Sequence, residues 1–249
     1  MKNLKKKAWL FLALFALLTL LPLSAAKVKA DEKSPAASGT LGKTKVTYTF
    51  DEKSGTLTLS GTGYTPTYSG NDTPFYQCTT IKHIVIEEGV TSLRQWLFYE
   101  LTGVESVSIP STVTSIDRDA FAGTSVIGDG FTIFADNTEF TSVDGSLFNK
   151  NKTILYKYTD KDASVYEDYT IPSGVTMIYG NAFCSETTLG TLTLTGEALQ
   201  LNEYALSEPQ IKHLVLGEGV TFLAAKNKLS TATLLDTEIT IPASLKKLQ

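Results

Sequence analysis

The sequence predicts a mainly β chain with short helical turns, wound as a solenoid of about seven coils behind an N-terminal β-hairpin cap. Three observations lead there. Residues 108–121, SIPSTVTSIDRDAF, return 62 positions later as TIPSGVTMIYGNAF, with eight of fourteen letters matched in place. A fixed apolar set recurs along the chain at a nearly constant step. Around each recurrence apolar and polar residues alternate with period two, the pattern of a strand with one buried face. A unit repeated at a fixed period cannot bury its own apolar side alone and does so by stacking on its neighbours.

The elements follow in chain order. Lys2, Lys5, Lys6 and Lys7 precede an apolar run, AWLFLALFALLTLLPL, and Val28-Lys29-Ala30 then offers a small-x-small cleavage pattern before Asp31. Residues 1–30 therefore read as a secretory signal peptide. The alternative is a membrane anchor, but ~16 apolar residues fall short of the ~20 a helical span needs. The remaining sequence has no second run of that length and no Cys directly follows the first, so neither a transmembrane segment nor a lipid anchor is expected in the mature chain. Without residues 1–30 it carries 16 basic against 26 acidic residues, a net charge of −10. That sign repels a phosphate backbone and excludes nucleic acid as a natural partner. Cys78 and Cys184 are too few for a disulfide framework and are expected to lie too far apart to pair.

Residues 31–43 are small and polar and are expected to form a flexible lead. Residues 44–80 are expected to form the cap. There, Val46 to Phe50 and Thr56 to Ser60 alternate around DEKSG, a hairpin whose Gly55 can take positive φ.

Residues 81–249 carry the repeat. With Ile109 as anchor, apolar residues stand two before it (Val107) and four, seven, eleven and twelve after it (Val113, Ile116, Ala120, Phe121). The same set surrounds Ile86, Ile171 and Leu194. Leu216 and Ile241 keep its first half, and Ile133 keeps a weaker version through Phe131 and Phe140. The anchors lie 23, 24, 38, 23, 22 and 25 residues apart, a period in the leucine-rich-repeat range. The long step holds an insert at about 141–160, expected to be a hairpin projecting from the stack, with SLFN and ILYKY on either side of an Asn-Lys turn. Each unit reads as a strand, a Pro or acidic-Gly turn, a second inward-facing side, and about one helical turn over residues such as 117–121 that closes the core. The last coil lacks its closing positions, so end-to-end self-association through this end is expected.

SIPSTVTSIDRDAF and TIPSGVTMIYGNAF resemble the bacterial surface leucine-rich repeats of the BspA type, in which Ile-Pro leads to Val-Thr-x-Ile and then Ala-Phe. IKHIVIEEGV and IKHLVLGEGV resemble the variant with an acidic-Gly turn. The resemblance implies a solenoid that acts outside the cell in adhesion or host-component binding.

Catalytic patterns are weak. His83 and His213 are repeat-equivalent strand residues, and duplication accounts for both. Cys184 reads as a small core filler rather than a nucleophile. Glu87 and Glu88 sit on a turn, and Asp160, Asp162, Glu167 and Asp168 lack the spacing of a calcium loop. The sequence thus predicts no catalytic residue, no cofactor and no metal ligand set. The outward strand positions remain. Val85, Ser108, Thr132, Thr170, Thr193, Val215 and Thr240 form one expected row, flanked by His83, Ser106, Gly130, Asp168, Thr191, His213 and Glu238. Such a face is either an inert solvated sheet or a docking surface for an extracellular protein or glycan. The expected function is a secreted or surface-bound, non-catalytic binding protein. Its alternatives are an accessory module of a larger secreted enzyme and a structural component of a wall or matrix.

Overall fold

The structure, a computed structural model, describes residues 32–162, 164–196, 199–202, 204–206, 208–218 and 238–243. The expected signal peptide lies outside these residues, as do Ala198, Val220, Leu223, Leu245 and Leu248 of the repeat; of the end through which self-association was expected, Ile239 and Ile241 are described and are exposed.

The coils are three-sided. Strands around the anchors form the first side. Three of them, His83–Ile86, Val104–Ile109 and Val126–Ile133, make one six-stranded sheet with Ser38–Thr40, Val46–Asp51 and Thr56–Gly61 from the lead and cap. Four more make a second sheet, Glu167–Thr170, Thr188–Leu194, Gln210–Leu216 and Glu238–Thr240, all parallel. The second side carries short strands, among them Val90–Leu93, Ser115–Ile116, Met177–Ile178 and Gln200–Leu201. The inward set predicted from the repeat is buried wherever the structure describes it in the copies anchored at Ile86, Ile109 and Leu194. The Ile171 copy is buried too, apart from a half-buried Tyr169.

The third side closes each coil with hydrogen-bonded turns, where the sequence predicts a helical turn. Ala120 N–H donates to the Asp117 carbonyl (2.9 Å) and Ala122 N–H to Asp119 (3.2 Å), both three residues back. The next coil supplies the remaining partners: Trp96, Phe98 and Glu100 N–H groups donate to Asp119, Ala120 and Ala122 at 2.9–3.0 Å. Five residues are too few to repay helix nucleation, and a neighbouring coil presents acceptors at every step. Among the described residues the one helical element is the 3-10 turn Gly70–Asp72. The closing aromatics stack through the coils, Phe75 on Phe98 (6.0 Å between ring centres) and Phe98 on Phe121 (5.0 Å).

The cap is the predicted hairpin, Val46–Asp51 antiparallel to Thr56–Gly61, with Gly55 at φ 66°. Its second strand pairs in parallel with His83–Ile86 and so doubles as the first strand of the solenoid. The flexible lead predicted before it is not observed. Ser38–Thr40 pairs antiparallel with Thr47–Thr49, Leu41 is fully buried, and the Lys33 carbonyl accepts N–H groups of Thr79 and Thr80. The outer edge of Val46–Asp51 would otherwise present unpaired N–H and C=O groups, and the lead supplies their partners.

The insert also differs from the prediction. It contains the expected hairpin, Ser146–Asn149 against Ile154–Lys157, but does not project. Phe140–Val143 pairs with Ser146–Asn149 through a second hairpin, whose turn residues Asp144 and Gly145 both have positive φ (50° and 81°). Positive φ at both positions is the turn geometry that matches strand twist. Ile154 and Leu155 then pair with Met177 and Ile178, so the insert rejoins the second side as an ordinary coil. Leu147, Phe148 and Leu155 are fully buried. The core divides here, Leu147 packing with the first cluster and Phe148 with the second.

Candidate binding face

Period-two alternation on the first side sends the residue between two inward positions to solvent. The parallel ladders set these residues side by side. His83 stands opposite Ser106 and Val85 opposite Ser108, which continue to Gly130 and Thr132. In the second sheet Thr170 faces Thr193, Thr191 faces His213, Thr193 faces Val215, and Val215 and His213 face Thr240 and Glu238. The predicted rows are therefore in register. One departure is a bulge between Glu167 and Tyr169, which takes Asp168 out of strict pairing.

The rows do not form one continuous face. Thr132 and Thr170 belong to different sheets. The free edge of Val126–Ile133 is taken by the insert: Phe131 N–H donates to the Gly145 carbonyl (2.7 Å), Gly128 N–H to Asp160 (2.8 Å), and Asp160 N–H to Val126 (3.0 Å). Gly130 is packed so tightly that a side-chain carbon there would lie 2.5 Å from the Gly145 carbonyl oxygen. The sequence alignment of anchors could not show this break, because it depends on which distant residues occupy the edge. The result is two patches, one around His83, Val85, Ser106, Ser108 and Thr132, the other around Asp168, Thr170, Thr191, Thr193, His213, Val215 and Thr240.

The histidines serve the sheet. His83 Nδ1 lies 2.9 Å from Ser106 Oγ, and His213 Nε2 lies 3.5 Å from Glu238 Oε2. Tyr166, at the rim of the second patch, carries Lys212 Nζ 3.6 Å over its ring and is 43% exposed. Outside the rows, Glu88 receives N–H donors from Ser111 and Thr112 and the Ser111 hydroxyl. Desolvation acts to raise its pKa, but these donors outweigh it and hold the carboxyl below its usual range. The acidic turn of one coil thus caps the Pro turn of the next.

The remaining chemical groups are buried. Desolvation pushes both thiols up; Cys184 is buried beside Thr187, with Sγ 3.4 Å from its hydroxyl. Lys157 is buried and donates to the Asn181 carbonyl at 2.9 Å; desolvation lowers its pKa. Asp160 is buried with its Oδ2 accepting the Thr188 N–H at 3.4 Å, and burial raises its carboxyl. Among the described residues no three His, Cys, Asp or Glu side chains converge as metal ligands. No helix of the described residues is long and apolar enough to cross a membrane.

The BspA type leucine rich repeat region matches the chain in six copies, over residues 68–161, 130–228 and 153–249. The chain belongs to this leucine-rich repeat family. No curated protein matches it. Three solved structures match it. Pneumococcal vaccine antigen PcpA is 18% identical with a TM-score of 0.50; the match covers 78% of this chain and 55% of PcpA. The chain thus spans little more than half of that antigen. A leucine-rich repeat protein from Eubacterium ventriosum is 18% identical (TM-score 0.33; 84% and 86% of the two chains). A leucine rich cell surface protein from Faecalibacterium prausnitzii is 17% identical (TM-score 0.38; 86% and 90%). The family is one of repeats and indicates no catalytic class.

Proposed function

We propose that this protein is exported, acts without catalysis, and binds an extracellular protein or glycan through the two outward patches of its first side, in adhesion at or near the cell surface. The observation that carries the reading is the register of the outward rows. Thr170, Thr193, Val215 and Thr240 lie side by side on adjacent strands, as do Val85, Ser108 and Thr132. These side chains are uncharged and short or β-branched, so a partner can approach the sheet closely without stripping water from an ion. Depletion of charge at the centre of a patch is what separates a docking surface from general surface. The basic, apolar start of the chain, ending in Val28-Lys29-Ala30, supports export.

The test uses protein beginning at Asp31 on an array of extracellular matrix proteins and glycans. Thr193→Lys and Val215→Glu each place a charge in the second patch while pointing away from the core. Loss of a captured ligand in both variants, with unchanged circular dichroism, is the expected result. A ligand held equally well by both variants would place binding elsewhere.

A further inference from the structure

The coil that contains the insert is two residues short at one corner. Leu155 pairs with Ile178, and Tyr158 N–H donates to the Ala182 carbonyl at 2.9 Å. That bond repeats the one from Phe98 to Ala120, so Tyr158 is the equivalent of Phe98, and its ring packs tilted on Phe183 with centres 5.2 Å apart. From Leu155 to Tyr158 takes three steps, whereas Leu93 to Phe98, Ile116 to Phe121 and Ile178 to Phe183 each take five. The missing residues are those of the outer corner. The coils on either side approach across the gap, where Asn181 Nδ2 lies 3.4 Å from Asp119 Oδ1. A cleft of about 190 Å³ opens there, lined by Trp96, Arg118, Asp119, Asn181, Asn202 and Tyr204.

Trp96, Asn181 and Tyr204 hold the same place, ten residues after their anchors, and all have left-handed backbone, at φ 59°, 62° and 68°. This conformation turns the side chain off the core. It suits Asn, but a bulky aromatic residue opposes it. Two aromatic side chains nevertheless stand at this corner and line the cleft. Trp96 stacks on Tyr99 at 5.7 Å, which commits one face of the indole, and Tyr204 is 50% exposed. Between them lie a carboxylate, two carboxamides and a guanidinium. Arg118 Nε lies 3.3 Å from Asp119 Oδ2, so the two charges offset each other and the cleft is close to neutral.

Aromatic faces beside carboxamide and carboxylate groups match a ring with C–H faces and a rim of hydroxyls, which both donate and accept. The cleft is smaller than the ~300–1,000 Å³ of a pocket for a whole small-molecule ligand, and so takes one ring of a longer chain. A single carboxylate lines it, whereas glycoside hydrolysis uses a pair. We propose that this cleft, separate from the sheet patches, binds one neutral pyranose ring of a glycan.

Trp9 and Trp96 are the chain's two tryptophans, so protein beginning at Asp31 reports on the cleft through Trp96 alone. Its fluorescence should shift saturably with at least one of maltotriose, cellotriose and triacetylchitotriose, with a Kd on the order of 1 mM, and not with trigalacturonate. Tyr204→Asn puts a residue suited to left-handed backbone at the corner and removes the ring. It should retain the thermal midpoint and weaken binding about tenfold. Arg118→Gln, at a side chain 61% exposed, should also weaken binding without unfolding the protein. No shift with any neutral trimer, an equal response to trigalacturonate, or wild-type affinity in both variants would overturn the proposal.

Discussion

Phe98 tests the inward and outward assignment most directly. Its side chain is fully buried and lies between two other rings, 6.0 Å from Phe75 and 5.0 Å from Phe121. Truncation to Ala removes a buried benzyl group and leaves a cavity that neither flanking coil can fill without moving its own ladder. Buried Phe→Ala changes cost about 3–5 kcal/mol. Each lost ring pair contributes roughly 0.5–1.5 kcal/mol beyond buried area, which places Phe98 at the top of that range. Thr170→Ala, on an exposed outward position, should cost less than about 1 kcal/mol. In urea, a loss of about 4–5 kcal/mol at a slope of ~2 kcal/mol/M moves the midpoint by about 2 M. Trp96 lies two residues away and serves as the optical probe. The assignment fails if Phe98→Ala and Thr170→Ala shift the midpoint equally at unchanged slope.

Two further outcomes follow from groups outside the patches. Cys78 and Cys184 are free, buried and shifted upward by desolvation, so both should resist thiol reagents at pH about 8 and titrate together once denatured without reductant; a denatured monomer with no titratable thiol would contradict this. Glu88 has a folded pKa below its ordinary 4.5, so the stability it contributes is present above that value and is lost as pH falls through the folded pKa. Glu88→Gln should therefore lower the denaturation midpoint at neutral pH and approach the wild type as pH falls below the folded pKa of Glu88. A constant difference across that range would show that the carboxylate's charge is not what Ser111 and Thr112 engage.

The amino-acid sequence alone determined the repeat, the burial of the apolar set in the copies anchored at Ile86, Ile109 and Leu194, and the pairing of outward residues within each sheet, though Ile239 and Ile241 of the last copy are exposed. These are local properties. Alternation with period two assigns each residue of a strand to one face, and a step near 23 residues carries that assignment from coil to coil. His83 beside Ser106, or Thr193 beside Val215, follows from counting. Asp144-Gly145 was also legible as a hairpin turn, though the Asn-Lys signal beside it drew the prediction to the second hairpin alone. Tertiary structure decided which strand edges remained open and what filled them. Residues 38–40 became a strand because the edge of the cap lacked partners, not because their composition favours one. The face breaks after Thr132 because Gly145 and Asp160, far along the chain, take the hydrogen bonds that the next coil would have used. The cleft beside Trp96 exists because Tyr158 reaches its ring stack two residues early. Each of these depends on a backbone group finding a partner in a distant part of the chain. Residue periodicity records whether a side chain is buried, and carries no record of which distant group will meet the backbone beside it.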